Sequence, residues 1–238
     1  SNNELWLKKT TFFALGVVIL QGLFGGLTVL FFLPAYISII HAILAQTFLL
    51  ISIFIAFCLS KRNKEIINNK SNIAHLSIPA ISVTITIYIQ LIIGAIMRHT
   101  ESGLAIPDFP MSGGFILPLF NQAMVDAIHS MHFDAGLEFV EFYQIIIHFA
   151  HRIGALAVSL AIGYLSLKLF QLKIQFSIVH KLLLMMIFLL IIQIFLGAMT
   201  IWTLKNPLIT SIHVLNGAII LGTSALFILN VRPLNWIK

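Results

Sequence analysis

Six apolar runs, at 11–32, 36–60, 76–97, 143–167, 179–202 and 208–230, constrain this 238-residue chain more than anything else in it. Crossing the hydrocarbon of a bilayer takes about 20 apolar residues. Inside it every backbone N–H and C=O must find a partner, which leaves the α-helix for isolated runs. The chain is therefore expected to be an all-α integral membrane protein with six transmembrane helices. Only 9% of its residues are charged, against about a quarter in soluble domains. A formal charge of +6 could suit nucleic acid. The basic residues, however, cluster in short loops beside the apolar runs, as topology signals do, so no nucleic-acid role is expected. The single cysteine, Cys58, lies within an apolar run. One chain can then build neither a disulfide nor a cysteine metal site.

The breaks between runs are of three kinds. "LPAY" (33–36) and "LKNP" (204–207) are tight proline-containing turns, "KRNKEIINNK" (61–70) is a polar loop, and 98–142 is one long connection. Lys8, Lys9, Lys61, Arg62, Lys64, Lys70, Lys168, Lys173, Lys181, Arg232 and Lys238 gather on one side against Glu4 and Glu65. The other side carries Arg98 and Lys205 against six carboxylates. Both termini, loop 61–75 and loop 168–178 are thus expected in the cytoplasm, with loop 98–142 outside.

The chain also repeats itself. "QGLFGGLTVLFFLPAYISIIHAILA" from Gln21 and "QIFLGAMTIWTLKNPLITSIHVLNGA" from Gln193 match without a gap at Gln21/Gln193, Gly25/Gly197, Thr28/Thr200 and His41/His213. Pro34 and Pro207 miss by one position. The expected organisation is two helices of one bundle (1–60), a cytoplasmic loop (61–75) and a complete, related four-helix bundle (76–238).

Ionisable groups inside a bilayer are costly and usually functional. His151 lies about eight residues, roughly 12 Å, inside the fourth run, and His213 about five residues, roughly 8 Å, inside the sixth. His41 sits at a similar depth in the second. Arg98 and His99 end the third on the same side. The spans hold no carboxylate to accompany a proton path. Zinc would want more ligands than the two histidines provide. Two facing imidazoles suit the axial positions of a haem iron. Ala155, Gly217 and Ala45 follow His151, His213 and His41 by four residues on the same helix face. These and Gly154 leave room for a flat macrocycle, or equally for close helix packing. His148 reads as a supporting group, a catalytic helper or a hydrogen-bonding partner. Arg152 suits a haem propionate or snorkels to the outer surface. His75 and His180 read as interfacial, and His129 and His132 as solvated loop residues.

"GAIMRHTESGLAIPDFP" (94–110), "HFAHRIGA" (148–155), "LGAMTIWTLKNPLITSIHVLNGA" (196–218) and "FGGLTVLFFLPAYISIIHAILAQ" (24–46) resemble the heme A synthase family over nearly the whole chain. The resemblance implies oxidation of a haem O methyl group to a formyl, giving haem A for terminal oxidases. It implies His151 and His213 as axial ligands of haem b, with Arg152 beside them, and His41 at the substrate haem. His148, His99 and Glu101 are placed to move protons. Implied too are a bacterial inner-membrane location, haem O synthase and oxidase assembly factors as partners, and homo-oligomerisation. Two departures stand out. The chain begins at what matches the family's third helix, and it has no loop cysteine, Ile106 standing at one such position. A competing reading is a bis-histidine haem b electron-transfer or anchor subunit without chemistry of its own. The repeat, which implies two haem-sized sites, speaks against that.

Overall fold

The computed structural model describes residues 2–61, 63, 73–172 and 177–231. Six long helices carry the chain: α1 (Asn2–Leu30), α2 (Ala35–Leu59), α3 (Ser77–His99), α5 (Phe142–Gln171), α6 (Ile178–Trp202) and α7 (Pro207–Val231). A short helix, α4 (Gln122–Asp134), lies in the long connection. All six long helices are apolar and long enough to cross a membrane. Among the described residues the only extended pairing is an isolated bridge between Ser112 and Phe115. Arg62, Lys64, Lys70, Lys173, Arg232 and Lys238, counted above in the cytoplasmic charge, lie outside the described residues.

Helices α3 and α5 form one hairpin-like pair and α6 and α7 another. Helix α3 also packs on α7, while α2 fits against both α3 and α7. Helix α1 packs mainly on α2, and its side chains are otherwise bare, with Phe12 72% exposed. In water such a surface would aggregate; against lipid it is the expected coat. Lipid tails are as apolar as leucine, so helix contacts need shape and polar pairs. Leu76, Val83, Ile162, Leu165, Leu183, Met186, Leu221 and Phe227 build the main core. Thr84 bonds Ser224 (3.0 Å) between α3 and α7, and Thr47 bonds Tyr88 (2.6 Å) between α2 and α3. Asn216 donates to the Leu189 carbonyl (3.0 Å) and the Gln193 amide oxygen (2.7 Å) between α7 and α6. Each such bond contributes about 0.6 kcal/mol in a bilayer.

The repeat read in the sequence has a matching backbone. Phe32 and Leu33 turn the α1–α2 corner in the left-handed region, and Leu204 and Lys205 turn the α6–α7 corner the same way. Leu33 N–H donates to Thr28 O (2.7 Å), and Lys205 N–H donates to Thr200 O (2.8 Å). Pro34 precedes the first turn of α2 and Pro207 opens α7. Both positions tolerate a residue without an N–H, which is why a one-place slip costs nothing.

The long connection is not a plain loop. Asn121 caps α4 by accepting from Met124 N–H (3.1 Å). Met124, Ile128 and His132 then recur every four residues along one face. That face closes on Ala105, Ile106 and Ile145, making a second small core over the beginning of α5. His132 is 2% exposed, its ring nitrogens facing the carbonyls of Glu138 (2.6 Å) and Leu104 (3.0 Å). His129 donates to Val140 O (3.0 Å). The solvated reading of these two residues is therefore corrected. They pin the cap, because burying this segment's carbonyls requires donors to meet them. His180 is likewise buried, its ring accepting from Ser177 N–H (3.2 Å) at the start of α6.

Candidate functional site

Three histidines are held in one way. In each case a helix carrying Gln-x-x-x-Gly lies beside a helix carrying the histidine. A Cβ added at Gly25 would come 3.0 Å from His41 Cε1, one at Gly94 3.1 Å from His151 Cε1, and one at Gly197 3.3 Å from His213 Cε1. The missing side chain is the seat of the ring. The glutamine one turn earlier reaches the same imidazole. Gln21 offers its backbone carbonyl to His41 Nδ1 (2.8 Å), Gln90 its amide to His151 Nδ1 (3.1 Å), and Gln193 its amide to His213 Nε2 (3.3 Å). The copies at Gln21 and Gln193 were visible as part of the repeat. The third, Gln90–Gly94, was missed, although its own Gln-x-x-x-Gly spacing was there to find.

His151 and His213 face one another, ring centres 6.5 Å apart and planes at 62°. Two imidazoles on opposite sides of one metal, each nitrogen about 2 Å from it, have ring centres about 6.3 Å apart. The ring-centre separation of the pair is close to that value. The space expected beside the pair at Gly154 and Gly217 is filled by flexible side chains rather than left open. The Gln90 amide lies across Gly154, and Leu91 and Gln193 fill the space beside Gly217. His213 Nδ1 is buried without a hydrogen-bond partner, so Gln193 at Nε2 and the Gly197 seat are what hold that ring. Among the described residues no three His, Cys, Asp or Glu gather as a metal cluster. Two neighbouring imidazoles are a donor set that would fit a haem iron.

The other expected site residues divide into two groups. Arg152 reaches into the cap, donating to the carbonyls of Met111 (2.6 Å), Asp108 (2.7 Å) and Ile106 (3.1 Å) and to the Ser112 hydroxyl (3.4 Å). Its guanidinium also lies 5.6 Å from the Phe109 ring centre. His148, 3% exposed, sits under the same segment, with Nδ1 3.1 Å from Ser102 O. Glu101 is exposed and pairs with Lys205 (3.1 Å), tying the start of the cap to the α6–α7 corner. His99 ends α3 within Coulombic range of Arg98, Glu101 and His41. The structure therefore brings His151 and His213 together, leaves His41 on a separate hairpin, and places Arg152, His148 and Glu101 on the cap.

The glycine seats carry a direct test. Gly94→Val should force the His151 ring off its position, at an overpacking cost of about 1–3 kcal/mol. Thermal unfolding in detergent should show the loss, whereas Gly16→Val, where nothing lies within 4 Å, should not. Equal stability of the two variants would mean that Gly94 is not a seat.

Fold and site together define a polytopic helical membrane protein that presents paired imidazoles within its bundle. The profile of a family described as cytochrome oxidase assembly protein matches residues 2–225. The chain belongs to the heme A synthase family of cytochrome oxidase assembly proteins. Heme A synthase of Staphylococcus haemolyticus is 27% identical over 143 residues, covering 60% of this chain and 40% of that protein. Heme A synthase of Rickettsia felis is 28% identical over 142 residues, covering 60% and 38%. Heme A synthase of Staphylococcus epidermidis is 24% identical over 230 residues, covering 94% and 67%. The chain thus spans between 38% and 67% of the length of these relatives.

Proposed function

We propose that this chain is the haem-oxidising part of a heme A synthase, acting on a methyl group of haem O to give the formyl of haem A. The observation that carries the reading is the 6.5 Å approach of His151 and His213, joined to the family's identity. Side chains cannot oxidise an unactivated C–H bond, and a bound haem b would supply the redox chemistry. In this reading 76–238 forms the complete haem-binding bundle and 1–60 part of a second.

The chain's residues divide the remaining work. His151 and His213 would hold the haem iron, each imidazole oriented by its seat at Gly94 or Gly197. His41, the repeat partner of His213, faces the substrate haem. His99, beside it at the end of α3, moves protons, with the exposed Glu101 as its relay to water. His148 serves as a positioning residue, since its Nδ1 lies between Ser102 O (3.1 Å) and Ile106 N–H (3.3 Å) of the cap. Arg152 holds the cap that keeps water from the pair. The long connection and the α6–α7 corner share one end of the molecule, supported by the Glu101–Lys205 pair and by Phe109 stacking edge-on to Trp202 (6.2 Å). With the basic residues at the opposite end, both termini face the cytoplasm.

The test is co-expression with a haem O synthase, followed by extraction of haem from the purified protein with acidified solvent. A haem whose methyl has lost two hydrogens and gained an oxygen, detected by mass and retention, is the expected product. Haem b alone, with haem O left unchanged, would instead make the chain an electron-transfer or anchor subunit.

A further inference from the structure

A cleft opens at the other end of the molecule. It has a volume of about 440 Å³ and lies between the beginning of α3 and the end of α5. His75, Ile78, Ser82, Ala161, Tyr164 and Lys168 are among its lining residues. We infer that this cleft binds the headgroup phosphate of an anionic phospholipid in the leaflet at that end. The inference is independent of the haem chemistry and needs only the membrane reading of the helices.

Depth is the first argument. The spans run from Ala74 and to Gln171. His75 and Lys168 therefore lie within three residues, about 5 Å, of the ends of the apolar segments. That is where phosphates sit. Charge is the second. Lys168 folds back over the Tyr164 ring, its Nζ 5.4 Å from the ring centre, instead of extending into solvent. Its ammonium, the His75 ring and the Ser82 hydroxyl all supply donors. Among the described lining residues no carboxylate competes for them. Lys8, Lys9, Lys61 and Lys181 lie at the same end of the helices. A basic pocket between transmembrane helices on this side is a recurrent headgroup site.

Shape is the third argument. The cleft continues into two exposed apolar stripes. Ile78, Ile85 and Ile89 run along α3, and Tyr164, Leu160, Leu156 and Ile153 run along α5. Acyl chains can follow these toward mid-membrane while the phosphate stays at Lys168. A soluble anion would gain nothing from them.

Native mass spectrometry of the full chain, released from detergent after titration with phosphatidylglycerol, tests the assignment. Wild type should retain the lipid saturably. Lys168→Gln should bind it about fivefold more weakly, the value of one lysine at a charged surface. Ala161→Phe, which fills the cleft without touching charge, should weaken it as well. Lys181→Gln, exposed at the same end but outside the cleft, should bind as wild type. Equal retention of phosphatidylcholine, competition by millimolar inorganic phosphate, wild-type binding in both cleft variants, or an equal loss in Lys181→Gln would each overturn the proposal.

Discussion

Alanine in place of His151 or His213 is expected to abolish the low-spin haem absorption of the purified protein. Low-spin iron needs two strong axial ligands, and each replacement removes one. No other His is positioned to substitute, because His41 is seated on its own hairpin against Gly25. His41→Ala should therefore leave the low-spin bands in place, and His148→Ala should leave them too, since that ring is committed to the cap. Absorption spectra of the reduced proteins read all four variants. Retention of the wild-type spectrum by both His151→Ala and His213→Ala would refute the assignment of the pair.

Arg152→Ala should release the cap. Three backbone carbonyls and a hydroxyl lose one shared donor. Leaving buried acceptors unmet costs about 1–3 kcal/mol each, and water reaches only some of them. A loss of about 3 kcal/mol in local stability corresponds to roughly hundredfold faster amide exchange. The effect should appear at Gly113 and Gly114, whose N–H groups are fixed to the Asp108 carboxylate (2.8 and 2.7 Å). The α3–α7 core should keep its protection. Arg152→Lys should recover little, because a point charge cannot span acceptors that a planar fork reaches. Unchanged exchange at 113–114 would show that the cap stands without Arg152, and a propionate role would regain its claim on the guanidinium.

The spans, the repeated hairpin and the pairing partners His151 and His213 were all legible in the sequence. Each is written in side-chain type at fixed spacing. The third glutamine–glycine step was harder to see, because Gly94 and His151 are separated by the whole cap, whereas Gly25 and Gly197 precede their histidines by one tight corner. The partners of Arg152 were hidden for a different reason. They are backbone carbonyls of a segment some forty residues away, and carbonyls leave no mark in sequence. His132 looked like a loop residue until α4 placed it in line with Met124 and Ile128.

The tight corner between seat and ring works as a calliper. In both hairpins the histidine follows the glycine by sixteen positions, with two left-handed residues at the bend. An α-helix rotates about 100° per residue. One residue added or removed between Thr200 and His213 would swing the imidazole a quarter-turn or more around its axis, away from the opposing ring. Length at that bend is thus under tighter constraint than composition, and drift there should be confined to substitutions.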